Sequence, residues 1–402
     1  MSPSWVETRH GGYFRLRRYR DADFTAEVLS APGHDVVIVV GVLRDAGGEL
    51  RFAVKTGDTR PSRGVRGDGY VKLGLVGGRL DHEGTPPAVI AELEVREELG
   101  GEPSGSLLEL GEQPVPTMPS WSTEADLYYL APLAQLGEPT GDGGGMEVPE
   151  LLGVELRRMD EVLDDIRSGR IGEAARARVA YGRAFERLGL APSLGGLEPG
   201  AELSLPSVEL PARRPPPPVD GVELEVLQSI EVEGQVKLLL CQGWHSCSGR
   251  RRGDSFPVEI LDVGYEELEV VGASRSATGW RVLLERYLPP VLSVKETLEH
   301  ELRSPRATPS ALWSGARARA ELGAADHQAA RLAESRGWGA PIRLLHGEAS
   351  PGQSNLLESM YFAECAADAA GLVPLEEAVR RVRAEGGSAR TEATLLELAA
   401  RG

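Results

Sequence analysis

Three separate segments of this chain recur, in the same order, in its second half. Val39-Val40-Gly41 falls on Val270-Val271-Gly272, each inside a strand–turn–strand pattern. Pro119, Ser122, Tyr129 and Ala131 fall on Pro351, Ser354, Tyr361 and Ala363 at one constant offset. A helix opening at Met159-Asp160-Glu161 is matched by one at Pro374-Leu375-Glu376-Glu377. Ordered self-similarity marks a repeated structural unit. The chain is therefore expected to hold two versions of one α/β domain, residues 1–190 and 221–402. Residues 191–220 read as a linker, with the polyproline run from Arg213 to Pro218 as a semi-rigid spacer.

At 402 residues the chain is long enough for two domains, each with its own core. A net charge of −17 argues against a general nucleic-acid or anionic-membrane binder, so neither is expected as a partner. Three cysteines make no disulfide framework and suit a reducing compartment. The opening MSPSWVETRHGG has no apolar core, and nowhere do about 18 apolar residues run together. A soluble, cytoplasmic protein is the expectation.

Within the first half, Tyr13 to Arg17 alternates, Asp35 to Arg44 is a buried apolar run, and Leu50 to Val54 alternates again after a Gly47-Gly48 turn. Strands are also expected at Ser106–Leu110, Leu127–Ala131 and Leu151–Leu156. Helices are expected from Met159 to Ser168 and in a closing segment ending at Leu188.

The chemistry-bearing stretch is Gly77 to Gly101. Pro86 and Pro87 suit a helix start and Gly100-Gly101 a helix stop. Glu94, Glu97 and Glu98 fall at i, i+3 and i+4, one face about 100° wide. Ala88, Ala91, Val95 and Leu99 make the adjoining apolar stripe. Like charges so spaced repel, and a hard divalent cation would neutralise them while accepting phosphate oxygens. A solvated acidic helix face is the other reading of the same carboxylates.

This stretch resembles the Nudix box, G-x5-E-x7-R-E-U-x-E-E-x-G-U with U apolar. Glu94-Val95, Glu97-Glu98 and Gly100 match its second half. The first half departs from it. The loop is one residue longer, the early Glu falls on Thr85 with Glu83 nearby, and the Arg that pairs with the metal-binding glutamates is Leu93. Arg96 cannot replace it, lying about 160° around the helix from Glu94 and Glu98 and about 100° from Glu97. The P-x-x-S-x-E segment of Pro119, Ser122 and Glu124 is similar to a turn of the ADP-ribose pyrophosphatase branch.

The resemblance implies two Nudix-like α/β/α sandwiches with mixed sheets, fused in tandem. It implies Mg²⁺ or Mn²⁺ on Glu94, Glu97 and Glu98, with Glu97 and Glu98 central to catalysis. Glu147 or Glu150, from a mobile acidic loop, would be the general base that takes a proton from water. The substrate would be a nucleoside diphosphate linked to another moiety, of ADP-ribose or nucleotide-sugar type. Arg60, Arg63 and Arg66, with Gly78 and Ser122, would hold it. Those arginines sit with Lys55 and Lys72 in a cation-rich loop that otherwise reads as ordinary surface charge.

The second half looks still more like that branch in its strand–turn–strand, yet its box is degenerate. Glu94, Glu97 and Glu98 become Arg331, Glu334 and Ser335. It is expected to be catalytically silent. The fused halves would then act as a pseudo-dimer within one chain, with further homodimerisation open. A nucleotide-derivative sensor and an interaction scaffold on the same fold are the alternatives to an enzyme.

Two further signals stand apart. Cys241, His245 and Cys247 have a C-x3-H-x-C spacing that could start a zinc site, but no fourth ligand is near and the segment reads as strand and turn. Arg250-Arg251-Arg252 reads as a charged hairpin tip, and His82 in the box loop as a bystander.

Overall fold

In the computed structural model the described residues are 4–10, 15–20, 25–30, 35–56, 73–80, 84–117, 124–141, 152–194, 197, 205–208, 221–233, 236–247, 250–288, 311–349 and 354–401. Each half opens with a three-stranded antiparallel sheet. The first is β1 (Ser4–His10), β2 (Arg15–Arg20) and β3 (Thr25–Ser30), in that order. The second is β13 (Gly221–Glu233), β14 (Val236–Cys247) and β15 (Arg250–Val263).

A larger mixed sheet follows in each half. The first half continues through β4 (Val36–Arg44), β5 (Leu50–Thr56), β6 (Leu73–Gly74), β7 (Val76–Arg79), α1 (Pro87–Leu99), β8 (Gly101–Pro103), β9 (Leu108–Glu109) and β10 (Val115–Pro116). Then come β11 (Ala125–Leu136), β12 (Gly153–Arg157), α2 (Met159–Arg167) and α3 (Ala174–Arg187). The second runs through β16 (Tyr265–Ser276), β17 (Gly279–Leu283), β18 (Glu285–Tyr287), β19 (Leu312–Ser314), β20 (Ala316–Glu321), α4 (Ala325–Ser335) and β21 (Ile342–Glu348). It ends with β22 (Leu357–Glu364), β23 (Val373–Pro374), α5 (Leu375–Glu385) and α6 (Ala389–Ala399).

The strand order repeats. The path β11-β4-β5-β12 of the first half is answered by β22-β16-β17-β23, with β7 on β4 as β20 is on β16. In both halves the long central strand runs parallel to its neighbour across a helical crossover, and the register is conserved. Val39 pairs with Tyr129 and Gly41 with Ala131, while Val270 pairs with Tyr361 and Gly272 with Ala363. These are the residues that align in the sequence, so the duplication extends to hydrogen-bond register.

The apolar run of β4 is buried on both faces, and its side chains alternate between two cores. Val37 and Val39 pack with Val95 and Leu99 of α1. Val36, Ile38, Val40 and Val42 face the other way, toward α2 and α3. The second half keeps this parity. Val270 packs with Ala329 and Ala333 of α4, while Val271 and Ala273 join the same core as Val40 and Val42. One apolar core therefore spans both halves, with α3 and α6 at its centre.

Buried ion pairs thread that seam. Arg183 donates from Nε and Nη2 to the two carboxylate oxygens of Glu392 at 2.8 and 2.6 Å. Arg383 also donates to Glu392, at 2.7 Å, and reaches Glu186 at 2.9 Å. Within each half, an arginine in the first turn of the closing helix meets an acid on the long strand. Arg176 of α3 binds Asp126 of β11, and Arg390 of α6 binds Glu358 of β22. Burial, resisted by Arg176, raises the Asp126 carboxyl to about 6.

The fold amends the reading of the linker and of one strand, and bears on the C-x3-H-x-C spacing. The linker is not wholly a spacer: Val208 is buried, its N–H bonds to the Arg44 carbonyl at 2.9 Å, and Ser207 bridges to Arg44. Its polyproline run lies outside the described residues. Cys241 and His245 lie on β14, four residues apart, about 13 Å along an extended strand, so they cannot share a zinc ion. The strand expected over Ser106–Leu110 is confined to Leu108–Glu109. Arg250 and Arg251 do flank a hairpin turn.

Candidate active site

The helix α1 starts and stops where its sequence directs. Pro86 is its N-cap, and Gly100 closes it at φ 59°, the left-handed conformation in which glycine is unstrained. A Cβ on Gly100 would also come within 2.5 Å of the Glu138 backbone. Ile90, Ala91, Val95 and Leu99 are buried against the sheet, whereas Leu93 is 38% exposed. Arg96 points away from the glutamates, pairing with Glu92 and Glu102 at 4.0 and 3.4 Å.

The sheet beneath the helix splits. Past the Gly41–Ala53 pair the ladder between β4 and β5 ends, and β7 takes over along Val36 to Val39. Gly77 and Gly78 lie on β7, not in a loop, paired with Ile38 and Val37. Glu98 reaches into this split. Its Oε2 accepts the Gly77 N–H at 2.9 Å and its Oε1 accepts from Lys55 Nζ at 2.5 Å. Both side chains are buried.

Glu94, one turn earlier, lies over Gly78. A Cβ on Gly78 would fall 1.7 Å from Glu94 Oε1, so the carboxylate occupies the space a side chain would take. Glu97 is half-buried on the same helix face. Its carbonyl accepts the N–H groups of Thr140 and Gly141 at 2.8 and 3.0 Å.

Lys55 departs from its sequence reading. It is the penultimate residue of β5, a buried cation on Glu98 rather than a loop cation. Ala53 packs in the α1-side core, and the two-residue period of a strand puts Lys55 on that same face, toward a helix with three glutamates. That alternation was the available signal.

The other candidates divide between described and undescribed positions. Arg60, Arg63, Arg66, His82, Ser122, Glu147 and Glu150 lie outside the described residues. The described ends of their segments lie on the first sheet or against α1. Residues 57–72 leave from Thr56 and return at Leu73, its partner across β5 and β6. The segment carrying Glu147 and Glu150 follows Gly141, held on the Glu97 carbonyl. The segment with Ser122 ends at Glu124, a buried acid 3.8 Å from Arg79 at the end of β7.

Among the described residues no group of three or more His, Cys, Asp or Glu side chains is placed to hold a metal ion. Glu98 is already neutralised by Lys55. Glu94 and Glu97, the other carboxylates of this face, have partners of their own as well. Among the described residues no helix is long and apolar enough to cross a membrane.

No protein-family model and no curated protein matches the chain. Solved structures do match, among them an ADP compounds hydrolase, 17% identical over 47% of this chain and 95% of that chain, with a TM-score of 0.37. A likeness of that degree decides neither fold nor activity.

Proposed function

We propose that the first half is a Nudix-like hydrolase that cleaves the pyrophosphate of a nucleoside diphosphate linked to another moiety, and that the second half is its silent pseudo-dimer partner. One observation carries this reading. The glutamate face of α1 is fixed against the glycine pair of β7, through the Gly77 N–H on Glu98 and the seat of Glu94 over Gly78. That juxtaposition supports reading the acidic helix face as a site rather than as a solvated surface. Glu94 and Glu97 would hold Mg²⁺ or Mn²⁺, which when bound neutralises charge on the diphosphate oxygens. Glu147 or Glu150 would accept the proton of the attacking water, and Arg60, Arg63 and Arg66 would grip the diphosphate.

A second reading, a sensor that binds such a ligand without cleaving it, is favoured by the buried Lys55–Glu98 pair, which occupies one of the three carboxylates. The experiment that separates the two is product release from a panel of nucleoside diphosphate derivatives, ADP-ribose included, with and without Mg²⁺. Wild type is run beside Glu97→Gln. Metal-dependent turnover abolished by the substitution supports the hydrolase. Binding by thermal shift without turnover supports the sensor, and silence in both assays removes both.

A further inference from the structure

A cavity of about 780 Å³ opens on the seam between the halves, between α2, α3 and the start of the linker on one side and α5, α6 and the β16–β17 turn on the other. The glutamate face of α1 packs on the opposite side of the first sheet, so the two places are separated by that sheet. The volume is in the range of small-molecule sites, about 300–1,000 Å³. Its walls are mostly apolar, with Met159, Leu163, Phe185 and Leu375 among them.

Two donors on these walls lack acceptors. Trp280 Nε1 is buried and has no hydrogen-bond partner among the described residues. Arg178 donates from Nε to Glu397 Oε1 at 2.6 Å and from Nη2 to the Leu396 carbonyl at 2.8 Å, and Nη1 has no acceptor among the described residues. That nitrogen lies against Gly182 on the cavity wall, where an added Cβ would come within 2.6 Å of it. Trp280 Nε1 is thus a buried donor without an acceptor, which native proteins rarely leave so.

Arg178 also shares its carboxylate. Glu397 serves Arg178 and, at 2.9 Å, Arg167 as well, so one carboxylate faces two guanidiniums. Glu186, also on the wall, is bound by Arg383, and Glu376 stands exposed at the rim. Burial pulls the Arg178 pKa down, only partly offset by Glu397 and Glu186. At Arg383 and Arg390 the carboxylate partners overcome burial and raise it.

We propose that this cavity is a second ligand site, for a small organic anion with a flat apolar body. The body would lie among the apolar walls beside the Trp280 ring, and the anionic group would take the Arg178 Nη1 and Trp280 Nε1 donors. The site is independent of the α1 glutamates and does not rest on the hydrolase reading.

The test is calorimetric titration of the full chain with naphthalene-2-carboxylate, and with naphthalene-2-carboxamide as the uncharged comparison. The carboxylate is expected to bind once per chain and the carboxamide roughly tenfold more weakly, a charge-assisted hydrogen bond being lost. Trp280→Phe keeps the ring but removes the N–H, and is expected to weaken the carboxylate about fivefold. Ala191→Trp, which fills the cavity, is expected to abolish binding. No saturable binding by wild type, equal affinity for the two compounds, or wild-type affinity in a folded Ala191→Trp variant would each overturn the proposal. Should Ala191→Trp fail to fold, as circular dichroism would show, unchanged affinity in Trp280→Phe overturns it instead.

Discussion

Lys55 Nζ lies 2.5 Å from Glu98 Oε1, joining the end of β5 to the last turn of α1 across 43 residues of sequence, with both groups buried. No arginine of α1 serves this purpose: Arg96 pairs elsewhere and Leu93 is turned to solvent. The cation comes from the sheet instead. It fixes the orientation of the helix as well as the charge of the carboxylate.

Removing only the cation leaves Glu98 buried and unbalanced. Lys55→Met is expected to destabilise the chain by about 3–5 kcal/mol, the usual result of breaking a buried pair from one side. Lys55→Met with Glu98→Leu should recover much of that. Urea denaturation of the two variants checks it, and a double variant no more stable than the single would mean the pair is not coupled.

Gly78→Ala is a test of the Glu94 seat. Since the new methyl would overlap Glu94 Oε1, the carboxylate has to swing away from β7. If Glu94 is a metal ligand, metal-dependent turnover should fall roughly tenfold to a hundredfold, the scale of a displaced supporting contact. Retained activity with retained Mg²⁺ affinity would separate Glu94 from the chemistry.

At the seam, stability should depend on acid through Glu392. Burial favours its neutral form, but Arg183 and Arg383 outweigh burial and draw its pKa from 4.5 to about 2. A folded pKa below the unfolded one adds stability above pH 4.5, and that stability is lost as pH falls toward 2. Glu392→Gln should therefore be less stable than wild type at neutral pH, by about 3–5 kcal/mol. The gap should close as pH drops through that window in parallel denaturation curves. Asp126, raised to about 6, acts with the opposite sign, losing stability as pH rises through that value. The difference between variant and wild type isolates Glu392 from it.

The strands and the box helix were legible because their signals are local. A buried run such as Val36 to Arg44 and a proline-to-glycine bracket around α1 need no knowledge of the rest of the chain. The repeat was legible because residues such as Gly41 and Gly272 are constrained alike. A Cβ on Gly41 would come within 2.8 Å of Leu99, and one on Gly272 within 2.8 Å of Trp338. What could not be read was pairing across the chain. Nothing near Lys55 names Glu98, and nothing near Arg183 names Glu392. Proline-rich composition also masked Val208, whose burial against the end of β4 depends on a neighbour far away in sequence.

The single core shared by the two halves has an evolutionary corollary. Two copies of one polypeptide that meet across an interface must carry the same residues on both sides, so neither can lose its acidic helix face without the other losing it. Joining them in one chain removes that constraint and makes their meeting independent of protein concentration. Arg331 and Ser335 stand in one half at the positions that Glu94 and Glu98 hold in the other, an asymmetry closed to two identical chains.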